Sequence, residues 1–180
     1  MFEGLRKIFG IEADTSGLDR GGVSGSVREI ADALDRLPPE RARHLASFAY
    51  ILGRVANVDL EVTPEETRAM EGILRRLAGL SEDEAILIVR IAKSQHELFG
   101  ATESYVVTRE FARSSSEEEK NALLECLFAV SASDNEVSGI EEAEIRKIAG
   151  ELGLSHADFI AARFRVREQI PLLKPPDPRD

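Results

Sequence analysis

Val58-Asp59-Leu60-Glu61-Val62-Thr63-Pro64-Glu65-Glu66 returns seventy-five residues later as Ser133-Asp134-Asn135-Glu136-Val137-Ser138-Gly139-Ile140-Glu141. Asp59 matches Asp134, Glu61 matches Glu136, Val62 matches Val137, Thr63 matches Ser138, and Glu66 matches Glu141. The apolar flanks keep the register: Leu52 with Leu127, Val55 with Val130, Met70 with Ile145, Ile73 with Ile148, Leu77 with Leu152. Self-similarity over roughly forty residues marks a duplicated structural unit. The expected fold is therefore an all-α helical bundle built from two pseudo-symmetric helix-turn-helix repeats, each with acids at its turn.

Thr63-Pro64-Glu65-Glu66 and Ser138-Gly139-Ile140-Glu141 both fit a capping box. In that motif the hydroxyl satisfies an orphan amide of the first helical turn, and the Glu three residues on reaches back. Pro64 falls at the first helical position, where its missing N–H costs nothing. Capping accounts for each Glu. It does not account for Asp59 or Asp134, which lie four residues before the caps. At the end of the preceding helix an unpaired Asp meets negative partial charge, mildly unfavourable by up to about 1 kcal/mol.

A chain of 180 residues suits one compact domain. Its 43% hydrophobic and 31% charged residues are ordinary for a globular protein. A net charge of −10 argues against a polyanionic partner, so no nucleic acid is expected. One cysteine excludes an internal disulfide and fits a reducing compartment, and Cys126 sits in an apolar run, as an inert core thiol would. The longest charge-free apolar stretch, Leu45 to Gly53, falls far short of the about twenty residues that a membrane span needs.

Residues 1–25 read as an N-terminal amphipathic segment and a Gly-rich linker. Phe2, Leu5, Ile8 and Phe9 recur at helical spacing, with Arg6 and Lys7 off the stripe. Packing of this segment onto the body of the protein or a partner is the expectation, with weak peripheral membrane contact through residues 1–11 as the alternative. Residues 26–169 read as the helical domain. Val27, Ile30, Ala31, Leu34 and Leu37 form one stripe, stopped at Pro38-Pro39. A long helix then runs from Glu40 to about Val58. Helices follow through Met70 to Leu77, from Ala85 to about Leu98 with Gly100 as breaker, and through Tyr105, Val106 and Phe111. Three more run through Leu123 to Val130, Ile145 to Leu152, and Phe159 to Val166. The caps are Ser81, Ser116 and Ser155, beside Thr63 and Ser138. Val106-Val107-Thr108 is the one β-branched run of note, and its flanks are helical. Residues 170–180, with four of the seven prolines, read as a disordered tail.

Most familiar chemistries fail against the residues. An EF-hand loop needs Glu at position 12, where Ile145 and Met70 stand instead. A di-iron bundle needs Glu-x-x-His, but Arg41, Lys93 and Gly153 precede His44, His96 and His156 by three. Each histidine is expected at the surface or a helix end. No phosphate loop, H-E-x-x-H or G-x-S-x-G is present. The acids remain. In a duplicated bundle the equivalent turns often meet near the pseudo-symmetry axis, which would gather Asp59, Glu66, Asp134 and Glu141. Four close carboxylates either take up protons or hold a cation, and their oxygens suit Ca²⁺ or Mg²⁺. Against this stand two other readings: caps on a solvated acidic edge, and a docking face for a basic partner. No catalytic residues are predicted. A carboxylate-dependent metal hydrolase is kept as an alternative, although no His, Lys or Tyr stands near the turns in sequence as a general base.

At these residues the chain resembles the TerB family of bacterial tellurite-resistance proteins and the wider TerB-like domains. Their hallmark is an Asp, a small residue, an acidic or polar residue, Ile or Val, and a Glu seven positions after the Asp. Asp59 to Glu66 and Asp134 to Glu141 both follow it except at the small position, where Leu60 and Asn135 depart from the pattern. Ile148-Ala149-Gly150-Glu151-Leu152-Gly153-Leu154-Ser155 is similar to the end of the family's second repeat. The resemblance spans Leu45 to Phe164. It implies an all-helical fold, metal-ligating acids and no catalytic activity. It also implies a stress-linked scaffold or sensor with protein partners, in the cytoplasm or at the membrane's inner face.

Overall fold

The structure is a computed structural model and describes residues 25–56, 63–94, 104–132 and 137–173. Among these the chain forms eight helices and no strand: α1 (Gly25–Asp35), α2 (Pro39–Ala56), α3 (Pro64–Ala78), α4 (Glu82–Lys93), α5 (Ser104–Ser114), α6 (Glu117–Ser131), α7 (Gly139–Glu151) and α8 (His156–Leu173). The all-α expectation holds. Asp59, Asp134, the segment of residues 1–11, the glycine linker and His96 lie outside the described residues.

Sequence sets the helix starts directly. Thr63, Ser81, Ser116 and Ser138 each adopt extended backbone and close a reciprocal capping box with the Glu three residues on. Ser155 does the same work with Asp158, whose amide donates to Ser155 Oγ at 3.2 Å. Two helices stop at glycines with positive φ, Gly79 at 62° and Gly153 at 78°, where a Cβ would be strained.

The two helices that precede the acidic stretches are the centre of the molecule. α2 buries Leu45, Ala46, Phe48, Ala49, Tyr50, Ile51, Leu52 and Val55 on every side, the pattern of a helix enclosed by others. It packs against α1, α4, α5, α6 and α7. α6 buries Leu123, Leu124, Cys126, Leu127, Phe128 and Val130, and carries α3, α7 and α8. Edge-on aromatic pairs tie these hubs outward, Phe48 to Phe111 at 6.1 Å and Phe128 to Phe159 at 5.2 Å. Each such fully buried ring stabilises the fold by about 1.5–3 kcal/mol.

Four details differ from the sequence-based expectations. α2 begins at Pro39, because proline at a first helical position starts a helix as readily as its neighbour stops the previous one. α4 ends at Lys93 with Ser94 as its cap, short of Leu98. Tyr105 and Val106 face solvent, while Val107, Thr108 and Phe111 make the buried stripe of α5. α8 runs through Pro171 to Leu173, into the stretch assigned to the tail.

Candidate functional site

The two capped turns are built alike. Thr63 N–H donates to Glu66 Oε2 at 2.7 Å, and Glu66 N–H donates to Thr63 Oγ1 at 3.2 Å. Ser138 N–H donates to Glu141 Oε2 at 2.8 Å, and Glu141 N–H donates to Ser138 Oγ at 3.2 Å. Backbone and side-chain hydrogen bonds from Thr63 hold the exposed Glu66 carboxyl below its usual range. In both turns Oε2 does the capping, and Oε1 bonds to no described residue. Glu66 is exposed and Glu141 half-buried.

α3 and α7 each pack on α6 and make no extensive contact with one another. Among the described residues no three acidic, histidine or cysteine side chains come together as a metal group. A cation site at the turns therefore needs Asp59 and Asp134, which the described residues do not include. Beside the second turn stands one unexplained atom. Ser131 Oγ, on the last residue of α6 and three before Asp134, is buried with no hydrogen-bond partner among the described residues. An unsatisfied buried hydroxyl costs about 1–3 kcal/mol.

At the end of α2 the structure places an ion network that sequence reasoning missed. The Arg54 side chain, only 5% exposed, reaches from the last turn of α2 to α5 and α7. Its Nη1 donates to Thr108 Oγ1 at 2.7 Å and to Glu151 Oε2 at 2.6 Å. Its Nε and Nη2 donate to Glu144 Oε1 at 3.0 and 2.5 Å. Burial alone would lower the guanidinium pKa, but the bonds to Glu151 and Glu144 outweigh it and raise the value. A sequence signal existed: Arg54 is the one charged residue from Leu45 to Ala56, and its repeat counterpart is Ala129.

A second polar cluster surrounds His44, which is neither at the surface nor at a helix end as expected. Its ring packs 4.9 Å from Phe111, its Nδ1 lies 3.4 Å from Ser115 Oγ, and its Nε2 lies 3.8 Å from Glu119 Oε1. Desolvation lowers its pKa first, with Glu119 and Glu84 opposing and Arg41 adding to the fall. The adjoining cleft, about 290 Å³, mixes Arg41, Glu118 and Glu119 with Leu77 and Leu80. His156 sits at a helix end as expected, the first residue of α8.

The sequence pattern of the family described as "Tellurite resistance protein TerB" matches residues 44–164. The chain belongs to the TerB family. The TerB region runs from within α2 into α8 and takes in both acidic stretches, the Arg54 network and the His44 cleft apart from Arg41. No curated protein and no solved structure matches the chain. No described helix of this TerB protein is long and apolar enough to cross a membrane.

Proposed function

We propose that this TerB protein is a non-catalytic module that takes a divalent cation, Ca²⁺ or Mg²⁺, through Asp59, Glu66, Asp134 and Glu141. The observation that carries the reading is Ser131 Oγ, a buried hydroxyl three residues before Asp134 in the chain and without a partner among the described residues. A hydrated ion nearby would give it one. The donor chemistry fits as well: the four residues offer oxygens alone, as hard cations require, and Glu66 and Glu141 each keep Oε1 beyond the cap. When bound, the ion supplies positive charge that offsets carboxylate repulsion. The protein's own part is to hold the two Glu side chains by their caps. In this reading the module acts as a scaffold or sensor in tellurite and stress responses. It presents its ion-dependent state to a protein partner in the cytoplasm, at the membrane's inner face in the TerB manner.

Thermal melting with Ca²⁺, Mg²⁺ and Mn²⁺ tests the reading. An ion that binds only the folded state, at one hundred times its dissociation constant, stabilises it by about 2.7 kcal/mol. For a chain of this size that raises the melting temperature by about 5–10 °C. Asp134→Asn removes most of the rise, Glu141→Gln part of it, and a chelator all of it. A flat response in the wild type, with no metal by elemental analysis, refutes the cation and leaves the acids as caps or a docking face. Metal-dependent turnover of a phosphoester would replace the module with the hydrolase reading.

A further inference from the structure

On a chain of net charge −10, three cations border one recess between α5 and α7. Arg109 and Arg113 lie one turn apart on α5, and Lys147 faces them from α7. No described carboxylate lies within ion-pair reach of Arg109 or Lys147. Arg113 has only a loose contact, with its Nη1 at 3.9 Å from Glu110 Oε2. Exposed cations in so acidic a protein would be expected to find partners, and among the described residues Arg109 and Lys147 have no carboxylate partner while Arg113 has only that loose one.

The rest of the recess suits an anion. Glu151 lines it, but both its oxygens already take hydrogen bonds from Arg54. The end of α7 would repel negative charge through its free carbonyls. Gly153 N–H donates to the Gly150 carbonyl at 3.1 Å and Leu154 N–H to the Ala149 carbonyl at 3.0 Å, so two are occupied. Gly150 and Gly153 line it without side chains. Tyr105 stands at the rim with the Arg109 guanidinium 4.9 Å from its ring centre, which pre-sets that arginine.

We infer that the Arg109–Arg113–Lys147 recess binds a small phosphorylated molecule. The recess is open to solvent, and its volume of about 570 Å³ leaves room for a small ligand. A protein partner would need roughly 800 Å² of contact surface instead. Arginine forks match phosphate oxygens two at a time, and two of them with a lysine opposite suit a diphosphate. This site shares no residue with the acidic turns.

Calorimetry with inorganic pyrophosphate on the full chain, in metal-free buffer at low salt, is the test. Saturable one-to-one binding with a dissociation constant below about 1 mM is expected. Arg109→Ala and Arg113→Ala should each weaken it about tenfold. Gly150→Glu should abolish it without lowering the melting temperature, because a side chain there meets open space and helix propensity improves. Arg68→Glu on α3, with the same change in charge as Gly150→Glu or greater, should leave affinity within about twofold of wild type. The proposal is overturned if pyrophosphate does not bind, if Arg68→Glu costs as much as the recess variants, or if Gly150→Glu binds normally. Binding only to anionic phospholipid vesicles or only to an acidic peptide would overturn it too.

Discussion

Replacing Arg54 with alanine is the perturbation to which this fold should be most sensitive. The side chain is 5% exposed, and Glu151, the more buried of its two carboxylate partners, is 8% exposed. Alanine removes the only cation among the described residues bonded to that carboxylate and leaves Thr108 Oγ1 without the Arg54 donor. Breaking a buried pair from one side costs about 3–5 kcal/mol, because the remaining charge stays desolvated. Total stability is about 5–15 kcal/mol, so the loss is a large fraction of it. At about 2–4 °C per kcal/mol for this size, the melting temperature should fall by roughly 10 °C. Replacing both partners is a different matter, since apolar groups of similar volume often substitute for a buried ion pair at little cost. Arg54→Met with Glu144→Gln and Glu151→Leu should thus recover most of the loss seen in Arg54→Met alone. Circular dichroism melts and a urea double-mutant cycle between positions 54 and 151 measure both effects. A drop of less than about 2 °C in Arg54→Ala, or a coupling energy below about 0.5 kcal/mol, would show that solvent screens the network despite its burial.

Three further outcomes follow from single buried groups. Ser131→Ala should raise the melting temperature of metal-free protein by a few degrees, since it deletes an unpartnered hydroxyl; a fall would mean that the hydroxyl is satisfied. His44 favours its neutral form in the fold, so its contribution is present above its ordinary pKa of 6.5 and lost as pH falls toward its lowered folded value. Wild-type melting temperature should therefore decline between about pH 7 and 5 more steeply than that of His44→Gln, and parallel curves would contradict this. Burial, and then the nearby Glu125, push the Cys126 thiol far up, so iodoacetamide should label it only after unfolding. Labelling of native protein at the rate of a free thiol would disprove the enclosed core around α6.

The local rules carried most of the fold. Each capping box stands in the sequence as a hydroxyl and an acid three residues apart, and all those described formed as spelled. Apolar spacing found the helices α2 and α6, but their role as hubs shows only in the burial of α2 and of the second half of α6. It misjudged α5, where Tyr105 and Val106 satisfy helical spacing but burial was decided by which face α2 and α7 cover. Glu66 and Glu141 were placed correctly at their turns, since capping is local. Whether they share an ion is a property of tertiary geometry and of Asp59 and Asp134. Arg54 escaped notice for a related reason. Its partners Glu144 and Glu151 have Ala69 and Arg76 as repeat counterparts, so matching the two copies hides a feature that only one of them has.

That asymmetry has a dynamic consequence. Arg54 lies five residues before Asp59, and Glu144 lies three after Glu141, so one buried guanidinium fastens the end of α2 to the start of α7. For the amides of either helix end to exchange with solvent by local opening, the same charge cluster must be exposed to water. The last turn of α2 and the first turns of α7 therefore belong to one foldon, and share a single opening free energy although they are far apart along the chain.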